Sequence, residues 1–292
     1  LPIISREQIP HSIPVVFSGR PSKKYFNGPS FPTKNLYWFD PPGAAHKRMG
    51  FDSDFFMKNK VDILNFYNDL ADEESRGTFL SIIKSRIEGD CGYYRIADYL
   101  EYEHPIVKPN YGDIVFDIGA FDGDTAQQFS KLVGVEGRVI SIEASMSNFL
   151  KLCNVIVEEN LKNVIPVYGA IWDNNQMLSF SGEDLASSKI SSQGAEKVPA
   201  FTLDYLVWLL KLDRVNLIKM DIEGAESNAL SGAQKTIAEF KPKLQLSAYH
   251  KPNDIWNLKD QVQSIVGDVY KFYLGHHNFY HTETDLYAIS FS

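Results

Sequence analysis

Short apolar runs alternate with segments of helical spacing from residue 112 onward, and few folds accommodate this alternation. The seven runs include DIVFDIGA, RVISIEAS and VNLIKMDIE, and helix-like stretches such as DTAQQFSKLVG lie between them. Strands that alternate with helices of about 10–15 residues indicate βαβ units on a mostly parallel sheet. Within each run apolar and polar residues barely alternate, which is typical of strands covered on both faces. We therefore predict an α/β fold with a doubly wound, mostly parallel, seven-stranded sheet.

The last two apolar runs, YKFYLGHH and LYAISF, are joined by the short, turn-rich segment NFYHTETD. This segment is too short for the crossover helix that two parallel strands require. We therefore predict that the last strand runs antiparallel to the others.

The composition of the chain changes near residue 105. Residues 14–50 are rich in proline, glycine and aromatic side chains, a pattern typical of short strands with tight turns. Residues 61–87 carry apolar side chains at helical spacing, which predicts one or two amphipathic helices. We predict an N-terminal α+β region over residues 1–105, interpreted as a lid or as an oligomer contact, and a main domain over residues 106–292.

Composition and charge argue against several classes of protein. The 292 residues are 44% hydrophobic and 23% charged, as in ordinary globular proteins. The net charge of −8 is spread along the chain without a basic run, so we predict no nucleic-acid partner. No apolar stretch is long enough to span a membrane and the N-terminus does not resemble a signal peptide, which predicts a cytoplasmic protein. Cys91 and Cys153 lack the paired spacing of zinc sites, and we interpret them as reduced packing residues.

The segment DIVFDIGAFDGDT, residues 113–125, is an apolar run that ends in an acid and then a glycine-rich turn. In doubly wound sheets ligands bind where such a strand passes into a turn and a helix N-terminus. The spacing from Asp117 through Gly119 to Gly123 is Asp-x-Gly-x-x-x-Gly, whereas the turn that cradles a pyrophosphate is Gly-x-Gly-x-x-Gly. The turn therefore indicates a ligand that approaches the backbone closely but has no pyrophosphate.

The next apolar run, RVISIEAS, ends in Glu143. An acid at the end of the second strand can accept hydrogen bonds from both hydroxyls of a ribose. Together with the glycine turn, Glu143 predicts a ligand of the adenosine type. The missing pyrophosphate pattern favours S-adenosylmethionine over a dinucleotide.

Five segments, in the order DIVFDIGAFDGDT, VISIEAS, TLDYLV, LIKMDIEGAES and AYHKPNDIW, resemble the FkbM family of S-adenosylmethionine-dependent methyltransferases. The resemblance extends over about residues 60–290 and implies a Rossmann-like class I methyltransferase fold. It also implies methylation of a hydroxyl on a sugar, a glycan or a natural product. Phe121 departs from the family, which often has a small polar residue there. The cofactor-binding residues implied are Asp117, Gly119, Ala120, Phe121, Gly123, Glu143, Ala144, Gly169, Ala170, Ile171 and Asp221.

Methyl transfer to a hydroxyl requires that the hydroxyl lose its proton, which calls for a general base. Asp221 and Glu223 end the run VNLIKMDIE, and His250 follows the run KLQLSAY at the same end of the predicted sheet. We predict Asp221 or His250 as the base, and Glu223 as a residue that binds the acceptor or caps backbone amides. Glu226 enters the next helix, where its charge suits the helix N-terminus.

The predicted substrate contacts are Tyr249 and Lys251, which flank His250, and His276 in the run YKFYLGHH. Asp221, Glu223 and Glu226 together could bind a divalent cation, but no histidine or further acid follows at short ligand spacing. We therefore predict no metal. The Ser- and Gly-rich segment FSGEDLASSKISSQGAEKV is interpreted as a mobile loop near the acceptor.

Two alternatives remain open. One is a catalytically silent protein that binds the cofactor or a glycan within an assembly that makes surface polysaccharide. The other is a nicotinamide-dependent oxidoreductase, which would require a pyrophosphate-binding turn.

Overall fold

A computed structural model describes residues 15–18, 36–39, 53–181, 189–190 and 196–291. The strands in these ranges are β1 (Val15–Ser18), β2 (Leu36–Phe39), β3 (Ile114–Ile118), β4 (Arg138–Glu143), β5 (Val164–Tyr168), β6 (Ala170–Ile171), β7 (Gln176–Ser181), β8 (Lys189–Ile190), β9 (Glu196–Phe201), β10 (Leu217–Met220), β11 (Lys243–Ser247), β12 (Tyr270–His276) and β13 (Thr284–Ser290). The α-helices are α1 (Ser53–Lys58), α2 (Lys60–Asp69), α3 (Glu73–Glu88), α4 (Asp124–Val133), α5 (Met146–Glu158), α6 (Leu203–Leu209), α7 (Glu226–Ser231), α8 (Gln234–Phe240) and α9 (Asp254–Val266).

Seven strands form the main sheet in the order β12-β13-β11-β10-β3-β4-β5. Strands β11, β10, β3, β4 and β5 pair in parallel. The last strand, β13, lies between β11 and β12 and is antiparallel to both. The predicted doubly wound sheet and its antiparallel last strand are therefore confirmed.

Strand β3 shows why the apolar runs do not alternate. All five of its residues are buried, and they divide between two cores. Ile114, Phe116 and Ile118 pack in the larger core, while Val115 packs in a second core on the other face of the sheet. Asp117 points to the same face as Val115, since side chains alternate along a strand. Because both faces of β3 are buried, the side chain of Asp117 lies on the side of the second core.

Helices α2 and α3 are the amphipathic helices predicted within residues 61–87. Phe66 of α2 and Phe79 of α3 belong to the larger core. Helix α3 begins at a side-chain cap, where the Asp72 carboxylate accepts the backbone N–H of Ser75 at 2.8 Å. Leu70 forms a bridge with Phe272, which ties this region to β12. The boundary between the N-terminal region and the main domain, placed after residue 105, stays a prediction.

Strands β1 and β2 pair in parallel within the segment for which short strands are predicted. Most of that segment lies outside the described residues. Among the helices that the structure describes, none combines the length and the apolar character needed to cross a membrane.

The predicted strand VIPVYGAI is divided at Gly169 into β5 and β6. Gly169 has a φ of +152°, and a Cβ there would lie 2.8 Å from the backbone oxygen of Pro199. Only glycine fits this close approach. Strand β6 leaves the main sheet and pairs in parallel with β9.

A second sheet, in the order β6-β9-β7-β8, occupies part of the region predicted as a mobile loop. Strands β7 and β9 pair antiparallel, so the ends of the predicted loop are strands. Val198 and Ala200 of β9 are buried while Lys197 is exposed. This alternation of buried and exposed residues is too short to indicate a strand in a segment rich in Ser and Gly. Residues 182–188 and 191–195 of the predicted loop lie outside the described residues.

Candidate active site

The glycine turn after β3 lies against the end of β10. Gly119 and Gly123 have φ angles of +83° and +97°, in the region that favours glycine. A Cβ on Gly119 would lie 1.9 Å from the backbone oxygen of Asp221, so no side chain fits there. The backbone N–H groups of Gly119 and Ala120 both donate to the carbonyl of Ile142 in β4. The turn is therefore held between the carboxyl ends of β4 and β10.

Glu143, at the end of β4, holds the other side of the turn. Its carboxylate accepts the backbone N–H of Phe121 at 2.9 Å and that of Ser145 at 2.7 Å. The side chain is only 8% exposed, and burial raises its pKa although these N–H groups and Lys219 act in the opposite direction. Each carboxylate oxygen can accept a second hydrogen bond. Glu143 therefore has the chemistry to accept further donors from a ligand.

Asp117 and Lys219 form a buried ion pair beneath the turn. The parallel pairing of β3 with β10 places these two residues side by side, and the Lys219 Nζ lies 3.2 Å from the Asp117 Oδ1. Lys219 also donates to the backbone oxygen of Gly119 at 2.8 Å, and Thr125 Oγ1 donates to Asp117 at 2.9 Å. Burial disfavours the charge of Lys219, but Asp117 and Asp221 outweigh it and raise its pKa. Both side chains are nearly inaccessible, so the pair supports the turn from below.

Lys219 was missed in the sequence, although a signal for it exists. A lysine between Ile218 and Met220 in a buried strand requires a partner, because an isolated buried ammonium is strongly unfavourable. Asp117 lies directly opposite Lys219 when β3 and β10 pair in parallel. Only the register between the two strands identifies the pair.

His250 is surrounded by three acids at the carboxyl ends of β10 and β11. Its Nδ1 lies 3.0 Å from Glu226 Oε1, and its Nε2 lies 3.5 Å from Asp221 Oδ1 and 3.7 Å from Glu223 Oε2. Neither ring nitrogen has hydrogen-bond geometry to a described residue. Burial lowers the pKa of His250, but Glu226, Asp221 and Glu223 together raise it to about 9. The structure thus brings together the three residues predicted for catalysis.

The loop that carries these acids is fixed by its own backbone. Glu223 and Gly224 have positive φ angles of +58° and +93°. Glu226, 1% exposed in the first turn of α7, accepts the backbone N–H groups of Ile222 and Gly224. Its carboxylate is therefore held in position before any ligand arrives.

Two tyrosines orient Asp221. Tyr102 donates its hydroxyl to Asp221 Oδ2 at 3.1 Å, and Tyr249 donates to Oδ1 at 3.3 Å. The ring of Tyr249 also packs on His250, with centroids 4.1 Å apart. The sequence predicts Tyr249 as a site residue but gives no signal for Tyr102, because Tyr102 lies in the predicted N-terminal region. Asp221 keeps 26% of its side chain exposed.

The remaining predicted residues lie at different places around this site. The backbone N–H of Lys251 donates to the Asp254 carboxylate at 2.8 Å, and its side chain runs beside Gly224. The backbone N–H of Gly169 donates to the carbonyl of Glu143 at 3.0 Å, which places Ala170 and Ile171 next to β4. Ala144, half-buried, is one residue beyond Glu143.

His276, the last residue of β12, lies inside the protein beside Thr284 of β13 and Tyr94. It is 0% exposed, its Nδ1 is 2.7 Å from Thr284 Oγ1, and its ring packs on Tyr94 with centroids 4.2 Å apart. Burial, aided by His277 and Arg86, lowers the pKa of His276 to about 3. These contacts are those of a core residue, and its predicted role in binding the substrate stays a prediction.

His276 should make the protein less stable in mild acid. The ordinary histidine pKa is 6.5 and the folded value is about 3, so the unfolded chain binds a proton at pH 5 and the folded protein does not. Stability falls as pH falls below 6.5, by about 2 kcal/mol between pH 7.5 and 5 for this one group. The free energy of unfolding of the wild type is lower at pH 5 than at pH 7.5. We expect this decrease to be smaller by about this amount in His276→Asn. Urea unfolding measures it, and an unchanged difference would contradict the assignment.

Comparison with known proteins identifies the family. The family model described as the methyltransferase FkbM domain matches residues 117–280. A solved structure of methyltransferase FkbM from Methylobacillus flagellatus KT is similar with a TM-score of 0.69 and 24% identity, over 80% of this chain and 60% of that chain. This chain thus spans less than two thirds of that relative, and the likeness shows the fold alone.

A more distant likeness is found to fibrillarin from Aeropyrum pernix in complex with natively bound S-adenosyl-L-methionine. It has a TM-score of 0.41 and 14% identity, over 62% of this chain and 67% of that chain. No curated protein matches the sequence. Since the family model covers more than half of the chain and includes the glycine turn, Glu143, Asp221 and His250, the protein belongs to the FkbM methyltransferase family.

Proposed function

We propose that the protein is an S-adenosyl-L-methionine-dependent O-methyltransferase that acts on a hydroxyl of a sugar or glycan. The single observation that carries the cofactor is the position of Glu143. Its carboxylate lies at the end of β4, hydrogen-bonded to the glycine turn, with acceptor capacity remaining on each oxygen. A pair of adjacent ribose hydroxyls offers the two donors that such a carboxylate can accept.

The turn fits the cofactor for a second reason. Because no Cβ is present on Gly119, the turn lies directly against the backbone of Asp221 at the end of β10, which keeps the turn beside both Glu143 and Asp221. The buried Lys219 holds the carbonyl of Gly119 and keeps the turn in this conformation. When bound there, S-adenosyl-L-methionine would supply an electrophilic methyl group.

The acid cluster supports a hydroxyl as the acceptor. Asp221 follows β10 directly and is partly exposed beside the turn, so an acceptor oxygen can reach it. Tyr102 and Tyr249 hold its two oxygens. The side chain of Asp221 is 26% exposed, whereas that of His250 is 5% exposed. We therefore propose that the proton of the acceptor hydroxyl passes to Asp221, with Glu223 beside it, rather than to His250.

The acceptor class follows from the family resemblance, and the compartment from the cysteines. The resemblance to the FkbM family implies sugars, glycans or natural products, and we place a sugar hydroxyl first. Cys91 and Cys153 are both thiols, which agrees with a reducing compartment such as the cytoplasm.

Calorimetric titration with S-adenosyl-L-methionine tests the cofactor. We expect the protein to bind it and Glu143→Gln to weaken binding by about tenfold to a hundredfold, since a hydrogen bond to a charged group contributes about 1.5–3 kcal/mol. Gln keeps one acceptor oxygen for the turn and removes the charge. A folded Glu143→Gln that binds as tightly as the wild type would contradict the role of Glu143.

The controls separate the remaining alternatives. Glu158→Gln changes an exposed acid at the end of α5 and should leave the affinity unchanged. Binding of NAD(H) instead would favour an oxidoreductase. Cofactor binding without methyl transfer to any sugar in an acceptor screen would favour the catalytically silent protein.

A further inference from the structure

We propose that Asp221, Glu226 and His250 form a binding site for one divalent transition-metal cation. One ligand atom from each of these residues lies within 4.8 Å of the others. Oxygen and nitrogen atoms at 2.0–2.2 Å from a shared ion lie about 3–4 Å apart, so a small contraction suffices. The sequence argued against a metal because no histidine follows the acids at short spacing. The fold supplies one from the neighbouring strand end.

His250 provides the observation that a cluster of acids alone would lack. Its side chain is 5% exposed. The Nδ1 atom faces Glu226 Oε1 at 3.0 Å, whereas the buried Nε2 has no hydrogen-bond geometry to a described residue. A buried polar atom without such a partner is unfavourable. The distances from Nε2, 3.5 Å to Asp221 and 3.7 Å to Glu223, exceed those of charge-assisted hydrogen bonds but suit atoms that share an ion.

The geometry and charge of the cluster agree with this assignment. Glu226 is fixed by two backbone N–H groups, so one ligand is already in place. Asp221 and Glu223 each expose 26% of the side chain, which leaves a path for an ion and room for an acceptor oxygen. Three carboxylates around one imidazole also carry an excess of negative charge. Mixed nitrogen and oxygen ligands favour Mn²⁺ or another first-row transition metal over Mg²⁺.

The role of the ion rests on the proposed function, although its binding does not. A divalent cation beside Asp221 would bind the acceptor hydroxyl and lower the pKa of that hydroxyl. It would therefore place the acceptor and make its proton easier to remove.

Titration of chelator-treated protein with MnCl₂, without cofactor, tests the site. We expect one Mn²⁺ per chain by calorimetry and electron paramagnetic resonance, with pulsed spectra showing coupling to an imidazole nitrogen. His250→Gln should remove the nitrogen coupling, and His250→Gln and Asp221→Asn should each weaken binding at least about tenfold. Glu136→Gln, which changes an exposed acid between α4 and β4, should bind as the wild type does.

Two results would overturn the inference: no saturable Mn²⁺ binding by the wild type, or equal binding by folded His250→Gln and Asp221→Asn. Circular dichroism checks folding, and Asp221→Asn carries the test if His250→Gln does not fold. Absent Mn²⁺ binding would mean that His250 is simply the cationic partner of the acids. A parallel titration with S-adenosyl-L-methionine separates the two proposals. Cofactor binding without Mn²⁺ binding rejects only the metal site, and the reverse result rejects only the proposed function.

Discussion

Lys219→Met should lower the free energy of unfolding by about 3–5 kcal/mol, because it leaves the carboxylate of Asp117 buried without its countercharge. Asp117 is 0% exposed and Lys219 is 2% exposed, so water cannot replace the missing ammonium. The substitution also removes the donor to the carbonyl of Gly119. Urea unfolding at neutral pH, followed by circular dichroism, measures the loss.

The double variant Asp117→Asn/Lys219→Met is the matched control. It removes both charges, so it should recover a large part of the loss, and the two substitutions should be strongly non-additive. Thr125 can still bond to the Asn that replaces Asp117. A double variant as unstable as the sum of the two single variants would contradict a buried ion pair.

Gly119→Ala should destabilise the protein by about 2–5 kcal/mol and abolish tight cofactor binding. A φ of +83° costs a residue with a Cβ about 1–2 kcal/mol, and overpacking adds about 1–3 kcal/mol. The added Cβ would lie 1.9 Å from the backbone oxygen of Asp221, so the turn or the end of β10 must move. Unfolding and calorimetric titration measure both effects.

Gly112→Ala separates backbone strain from the clash. Gly112 has a nearly identical φ of +81°, but nothing lies within 4 Å of an added Cβ. It should therefore cost only about 1–2 kcal/mol and leave cofactor affinity unchanged. If both variants lose the same stability and both keep their affinity, the close approach between Gly119 and Asp221 is not important.

Elements with a strong local pattern could be predicted from the sequence. The runs that became β3, β4 and β10 are mostly apolar because both faces of these strands are buried. The turn after β3 was recognisable because glycine at its two ends permits positive φ angles. The separation of β5 from β6 was not recognisable, since the close approach of Gly169 to Pro199 depends on a strand more than twenty residues away.

The candidate site shows the same division. Asp221, Glu223 and His250 were selected because each follows a predicted strand, and parallel strands end at one edge of a sheet. Their mutual distances, and the approach of Glu226 to His250, could not be derived from spacing along the chain. Tyr102 was missed because nothing local in the sequence indicates that its hydroxyl reaches Asp221.

The sequence by itself determined the strands and helices of the main sheet, where the glycine turn lies and which family the motifs resemble, because periodicity, turn residues and motif order are local properties. The tertiary structure decided that Lys219 neutralises Asp117, that Tyr102 and Tyr249 hold Asp221, and that His250 lies among three acids. The physical reason is that such contacts depend on the register between strands. That register is set by the burial of the whole sheet and not by any one segment.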